Sequence, residues 1–107
     1  MMPEIIAHRG ASYLAPENTL TAFRKAIEIG ADGVEMDVQQ TGDKKLVIHH
    51  DFLIDWHTDM RGQIYDMTME ELKALDFGSW KGVSYKDERI ELYKLEKNRH
   101  ICYANHA

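Results

Sequence analysis

Cysteine is nearly absent from this sequence: Cys102 stands alone, so no disulfide can form within the chain. No apolar run approaches the ~20 residues of a membrane-spanning helix, and the first residues lack the basic character of a signal peptide. Positive charge is also scarce, with 13 basic against 18 acidic residues, which argues against nonspecific binding to nucleic acid or anionic membrane. We therefore expect a cytoplasmic protein with no membrane span and no nucleic-acid partner.

What is present suffices for one modest α/β domain. The chain has 107 residues, of which 44% are hydrophobic and 29% charged, as in globular proteins. Apolar residues 4–7 and the alternating residues 33–39 predict two strands, and Asn18 is suited to cap a helix between them that runs to about Ile29. The buried face of that helix is predicted to hold Leu20, Phe23, Ala26 and Ile27. A strand, a helix and a strand in this order imply parallel strands.

Two carboxylates share one face of the second predicted strand. Glu35 and Asp37 alternate there with apolar residues, and side chains two positions apart on a strand are about 7 Å apart. The spacing alone fits a solvated strand edge, but a parallel core strand has no solvated face. The βαβ setting therefore favours a site for a hard divalent cation, Mg²⁺ or Ca²⁺, held by these oxygens.

A third predicted strand, residues 46–48, adds a histidine to this face. The connection is too short for a parallel crossover, so the strand is expected to return as an antiparallel hairpin. A four-residue loop pairs positions 40 and 45 and sets His50 opposite Glu35. A loop changed by one residue would instead bring His49 to the face that carries the carboxylates.

Two imidazoles and a guanidinium are expected to converge on the carboxylates. His8 ends the first strand, and together with His50 it could divide acid and base duties near neutral pH. Arg9 is suited either to hold phosphate oxygens or to form a structural ion pair with an acid. His57 falls in an irregular segment, where we expect it to be exposed.

Residues 51–90 predict a small separate packing unit. Thr68 and Glu71 form a capping-box pattern that opens a short helix. The aromatic residues of this segment are expected to form a small satellite core, with lining of a substrate mouth as the alternative and with Trp80 assigned to the core first. The set is Phe52, Trp56, Tyr65, Phe77 and Trp80.

Taken in order, four motifs resemble those of the glycerophosphodiester phosphodiesterase family. They are His8-Arg9-Gly10, Pro16-Glu17-Asn18-Thr19, Glu35-Met36-Asp37 and His50-Asp51. Residues 75–80 are also similar to the insertion of bacterial members. The resemblance implies an α/β fold, the N-terminal fragment of a (β/α)₈ TIM-type barrel over residues 1–90, with part of the insertion at about 51–90. Residues 91–107 have no counterpart in that pattern and form a divergent tail of unknown role.

The resemblance also implies an activity and a set of roles. The substrate would be a glycerophosphodiester, hydrolysed to glycerol 3-phosphate and an alcohol through a cyclic phosphate. Glu35 and Asp37 would hold Mg²⁺ or Ca²⁺, His8 and His50 would act as acid and base, and Arg9 would bind the phosphate. The family's third acidic metal ligand belongs to a later strand that this chain lacks.

The length departs from the resemblance. A barrel of this kind needs ~250 residues, and we expect only two barrel strands here, as a frameshift or a truncation would leave. The alternative is therefore a catalytically inactive fragment or an oligomerising module, since open strand edges and an uncovered apolar face favour self-association. A related phospholipase acting on lipid headgroups is less favoured, because the sequence predicts no membrane-docking surface.

Overall fold

The computed structural model describes residues 5–93 and the backbone of residues 101–106. Within these residues the chain forms five strands, two α-helices and two short 3₁₀ helices. In chain order they are β1 (Ile6–His8), α1 (Leu20–Glu28), β2 (Gly33–Gln40), β3 (Leu46–Ile48), 3₁₀ Ile64–Asp66, α2 (Met69–Lys73), 3₁₀ Val83–Tyr85, β4 (Glu91–Leu92) and β5 (Ile101–His106). Residues 94–100 of the predicted tail lie outside the described residues.

Strand β2 is the centre of the sheet. It pairs in parallel with β1, where His8 lies beside Glu35, and antiparallel with β3, which continues to β4. The predicted βαβ unit is confirmed. The expectation of only two barrel strands is wrong, because β5 also pairs with β2 in parallel and brings the backbone of Asn105 level with Asp37.

The hairpin between β2 and β3 differs from the prediction by one residue. Gln40 pairs with Leu46, so the loop has five residues and not four. The loop closes on Thr41, whose N–H donates to the Lys45 carbonyl at 2.8 Å, while Lys44 adopts a left-handed conformation with φ 63°. The register observed is the second one that the sequence allows, in which His49 and not His50 comes level with the carboxylates.

The start of α1 also corrects the prediction. Its N-cap is Thr19, whose Oγ1 accepts the Ala22 N–H at 3.2 Å and donates to the Pro16 carbonyl at 2.6 Å. Asn18 precedes the cap in a left-handed conformation, φ 57°, which leaves its side chain available elsewhere. Of the predicted core face, Phe23 and Ala26 are buried together with Ala22, whereas Leu20 and Ile27 are exposed.

The buried apolar residues form two clusters. The barrel cluster packs α1 on the sheet and consists of Ala11, Phe23, Ala26, Val34, Met36, Val38 and Ile48. The insertion cluster lies under residues 51–90 and consists of Val47, Ile54, Ile64, Met69, Leu72, Phe77 and Ile90. The predicted capping box of Thr68 and Glu71 is present at α2. The predicted aromatic core is wrong, because aliphatic residues fill this cluster and Phe77 is the one buried aromatic of the five.

Candidate functional site

The turn after β1 places His8 and Arg9 at the end of the strand. Arg9 and Gly10 both have positive φ, 56° and 80°. A side chain at Gly10 would bring its Cβ within 2.7 Å of the Ala22 carbonyl carbon, so only glycine lets this turn pack against α1. The glycine of the His-Arg-Gly motif thus directs the two preceding side chains towards β2.

Arg9 makes more site contacts than its neighbours. Its backbone N–H donates to Oε1 of Glu35 at 3.1 Å, and its Nη1 donates to Oε2 of Glu17 at 2.7 Å. Its Nε lies 3.2 Å from Oδ2 of Asp37. The side chain is 20% exposed, so the partly buried guanidinium lies between two carboxylates, Glu17 and Asp37, while the backbone of Arg9 holds a third, Glu35. The ion pair that the sequence left open is present.

Asp37 is also held from the other side by Asn18. The Asn18 Nδ2 donates to Oδ2 of Asp37 at 3.0 Å, and Oδ1 of the same amide accepts the Asp37 backbone N–H at 3.3 Å. Both side chains are buried. Sequence reasoning assigned Asn18 to the helix cap and missed this role. The neighbouring Thr19 was the available signal, because it can cap the helix equally well.

His8 extends from the end of β1 beside Glu35. Its Nε2 lies 3.8 Å from Oε1 of Glu35, and its side chain is 69% exposed. A mostly solvent-facing imidazole next to a carboxylate that is 16% exposed is accessible to a small molecule entering from solvent. The structure therefore brings His8, Arg9, Glu35 and Asp37 together at the end of the strands.

His50 lies just beyond β3, with its Nδ1 2.8 Å from Oδ1 of Asp51. An ionised carboxylate only accepts hydrogen bonds, so Nδ1 of His50 carries the proton. The Nε2 atom then points away from Asp51. The Gln39 amide fixes this segment by donating to the carbonyls of His49 and Asp51, at 2.8 and 2.7 Å. The His49 N–H, and not that of His50, pairs with the Asp37 carbonyl.

Two buried histidines lie behind the motif residues. His57 is 8% exposed, so the expectation that it is exposed was wrong. Its ring meets the ring of His49 edge-on, with centroids 4.8 Å apart, and His49 in turn contacts Phe77. Burial first, and then the nearby charge of His57, lower the pKa of His49 to about 4. His49 was the alternative to His50 in the hairpin, whereas His57 had no sequence signal beyond its residue type.

The electrostatics of Glu17 connect these histidines to Arg9. Its Oε2 lies 3.9 Å from Nε2 of His57 and 2.7 Å from Arg9. The His57 imidazole, followed by the Arg9 guanidinium, holds the pKa of Glu17 at about 2 against the opposing effect of its partial burial. A cavity of about 10 Å³, no larger than one water molecule, lies between Glu17, Asn18 and the two buried histidines.

The carboxylates fit a hard divalent cation in donor type. Glu35 and Asp37 supply oxygen ligands, and Mg²⁺ in proteins is often bound by one or two carboxylates with water and substrate phosphate completing its shell. In the part of the chain that the structure describes, no cluster of three or more His, Cys, Asp or Glu side chains could hold a metal ion. Neither described α-helix has the length and apolar character to cross a bilayer.

Comparison with known proteins decides the family. The sequence profile of the glycerophosphoryl diester phosphodiesterase family matches residues 8–106. The chain belongs to this family. A glycerophosphodiester phosphodiesterase of Caldanaerobacter subterraneus is 50% identical over 92 residues, which are 85% of this chain and 38% of that relative.

Solved structures of family members agree. A phosphodiesterase from Oleispira antarctica, in complex with the product sn-glycerol-3-phosphate, superposes with a TM-score of 0.82 at 47% identity, covering 85% of this chain and 37% of that one. A glycerophosphodiester phosphodiesterase from Agrobacterium tumefaciens gives 0.83 at 36% identity, covering 85% and 39%. The chain thus spans between a third and two fifths of the length of these glycerophosphodiester phosphodiesterases, and the expected α/β fragment of a TIM-type barrel is confirmed.

Proposed function

We propose that this chain carries the amino-terminal part of a metal-dependent active site that hydrolyses glycerophosphodiesters to glycerol 3-phosphate and an alcohol. The observation that supports it most is the position of Arg9, held between Glu17 at 2.7 Å and Asp37 at 3.2 Å while His8 lies beside Glu35. A cation oriented by carboxylates, next to imidazoles open to solvent, suits a phosphodiester better than a neutral substrate.

Arg9 is proposed to bind the phosphate. A guanidinium has five N–H donors in a fixed plane, and the carboxylate contacts use its Nη1 and Nε sides. The other N–H groups of the Arg9 guanidinium are therefore oriented before the substrate arrives. The Arg9 side chain then loses little conformational freedom on binding. Glu17 stays ionised at neutral pH because its pKa is about 2, which keeps this orientation in place.

His8 and His50 are proposed to move the protons. One imidazole accepts the proton of the attacking glycerol hydroxyl as its oxygen bonds to phosphorus, and the other donates a proton to the departing alcohol oxygen. Water then opens the cyclic phosphate by the same transfers in reverse. The Asp51 carboxylate at 2.8 Å holds Nδ1 of His50 and directs its Nε2 away from Asp51.

Glu35 and Asp37 are proposed to hold Mg²⁺ or Ca²⁺. Such an ion would supply charge stabilisation at the phosphate oxygens. The contacts of Asp37 with Asn18 and of Glu35 with the Arg9 backbone fix the two carboxylates on the same strand face. In the purified chain, water and the substrate phosphate would complete the shell of the ion. A metal titration would distinguish Mg²⁺ from Ca²⁺.

Turnover of glycerophosphocholine by the purified chain tests this function. We expect glycerol 3-phosphate release with Mg²⁺ or Ca²⁺ that stops with chelator and falls about 100-fold or more in His8→Ala, since general acid–base groups contribute about 10² to 10⁴ in rate. Tyr13→Ala, at a side chain that is 94% exposed, is the matched control. Release that persists unchanged in His8→Ala, or that is absent with either ion at saturation, would contradict the proposal for this chain.

A second candidate is an oligomerising module. The exposed apolar residues of α1 favour it, because Ile29 is 67% exposed and Leu20 and Ile27 are each more than a third exposed. The turnover assay separates the two when it is run over a range of protein concentration beside sedimentation analysis. Oligomers without turnover support the module, whereas turnover per chain that rises with assembly supports an active site completed between copies.

A further inference from the structure

His57 lies between two carboxylates that each hold a proposed site residue. Its Nε2 is 3.9 Å from Oε2 of Glu17, and its Nδ1 is 3.7 Å from Oδ2 of Asp51. Glu17 pairs with Arg9 at 2.7 Å, and the other oxygen of Asp51 lies 2.8 Å from His50. The His57 imidazole therefore lies next to two carboxylates. One is Glu17, which pairs with Arg9, and the other is Asp51, which pairs with His50.

The protonation state of an imidazole decides how many carboxylates its N–H groups can serve. The imidazolium has an N–H on each nitrogen and can serve two carboxylates at once, whereas neutral imidazole offers a donor to one and a lone pair to the other. Nδ1 of His57 is buried without a hydrogen-bond partner. Its distance to Asp51 is longer than a hydrogen bond but within ion-pair range. Each ring nitrogen of His57 therefore lies next to one of the two carboxylates.

The ring of His57 is held by the aromatic residues of the insertion. It meets Trp80 edge-on with centroids 4.8 Å apart and an interplanar angle of 87°, and it meets His49 in the same way on another side. Trp80 is itself fixed by its Nε1, which donates to the Phe77 carbonyl at 2.9 Å. The side chain of His57 is 10% exposed, so the packing of the insertion sets its orientation.

We propose that His57 is a positioning residue through which the insertion orients both Arg9 and His50. The chain of contacts runs from His50 through Asp51 to His57, and from there through Glu17 to Arg9. Residue 57 lies outside the four motifs, in the insertion. The roles of Arg9 and His50 rest on the proposed function, but the contacts that orient them do not.

The test is nuclear magnetic resonance of the folded chain, which needs no turnover. His57→Phe keeps the ring packing and removes both nitrogens, His57→Gln keeps one donor and one acceptor, and Trp56→Ala, at a side chain 78% exposed, is the control. The signals followed are the Glu17 side-chain carboxyl from pH 7 to 2 and exchange with water of the Arg9 Nη1 protons, which face Glu17. A titration with sn-glycerol 3-phosphate reports ligand binding at Arg9.

In His57→Phe we expect the proton affinity of Glu17 to rise about tenfold or more, because the main cause of its low pKa is removed. The Arg9 Nη1 protons should exchange about tenfold faster, and binding of glycerol 3-phosphate should weaken several-fold. His57→Gln should fall between, and Trp56→Ala should match the unmodified chain.

Unchanged Glu17 and Arg9 signals in a folded His57→Phe variant would overturn the proposal, even in a chain that hydrolyses substrate. If that variant does not fold, the same comparison with His57→Gln decides the matter. A chain that shows the expected signals but no hydrolysis would contradict the proposed function and leave the positioning role supported.

Discussion

The barrel portion, residues 5–50, and the insertion, residues 51–90, build their cores from elements of different length. In the insertion, Ile54, Ile64 and Leu72 are fully buried although its helices are only one or two turns long. In the barrel portion the longer helix α1 leaves Ile29 67% exposed, and Ile5 before β1 is 63% exposed. The insertion thus buries a core built from short elements, although its Trp56 and Val83 stay 78% and 82% exposed, and α1 of the barrel portion keeps an uncovered apolar side at Leu20 and Ile27.

The difference teaches where the fold depends on neighbours. A small unit closes its core by short turns, caps and local contacts, whereas a barrel strand and its helix need the next strand and helix on each side. The two portions meet at the site, where His49 packs on both Phe77 and His57. The proposed site therefore lies where the barrel portion and the insertion meet.

The largest expected effect comes from the same substitution in the two helices. Leu72→Ala removes a fully buried side chain from α2 and should lower the free energy of unfolding by about 2–5 kcal/mol. Leu20→Ala, at a position 39% exposed in α1, should cost less than about 1 kcal/mol. Urea unfolding followed by circular dichroism measures both. Equal losses for the two variants would break the comparison between the portions.

The next largest effect is a loss of stability at acidic pH. It arises at His49, where the barrel portion and the insertion meet. The pKa of His49 is about 4 in the folded chain against 6.5 in the unfolded one, so below pH 6.5 the unfolded chain binds a proton that the folded chain does not. Stability should therefore be complete above pH 6.5 and fall on the order of 3 kcal/mol as pH drops to about 4. Urea midpoints taken between pH 7 and pH 4 measure the loss.

His49→Gln provides the control for this acid effect, because it removes the titrating group and keeps a polar side chain. It should flatten the stability profile between pH 6.5 and 4. Loss that begins only below pH 4.5 would instead report Glu17, whose pKa falls from 4.5 to about 2 on folding. A profile that is equally steep in His49→Gln between pH 6.5 and 4.5 would rule out His49 as its source.

The smallest effect on stability is expected at the open face of the barrel portion. Ile29→Lys changes an exposed side chain, so the free energy of unfolding of the single chain should change by about 0.5 kcal/mol or less. The same change places charge on the face that we expect to drive self-association. Sedimentation velocity should then detect smaller species than in the unmodified chain. Identical size distributions would remove this face from the proposed contact.

Sequence patterns predicted much of the site but not its register. The positions of His8 and Glu35 followed from strand periodicity, which depends on backbone geometry alone. The hairpin register did not follow from periodicity, because it depends on whether Lys45 belongs to the loop or to β3. In the structure Lys44 is left-handed and Lys45 lies in the loop. Hydrophobic pattern could not choose between His49 and His50, which are adjacent and alike in polarity.

Long-range contacts account for the other differences. Asn18 was assigned to the helix cap on local preference, but Thr19 caps the helix and Asn18 binds Asp37, 19 residues further on. His57 was expected to be exposed because its segment has no regular structure. Its burial depends on Trp80 and His49, which come from segments that sequence alone does not bring together.

The amino-acid sequence by itself determined the family, the parallel βαβ unit and the carboxylate pair Glu35 and Asp37, because strand alternation and motif order are local properties. Tertiary structure alone decided the hairpin register, the partner of Asn18 and the central place of His57. Each of these depends on which distant groups are desolvated together, and the free energy of desolvation is a property of the packed chain.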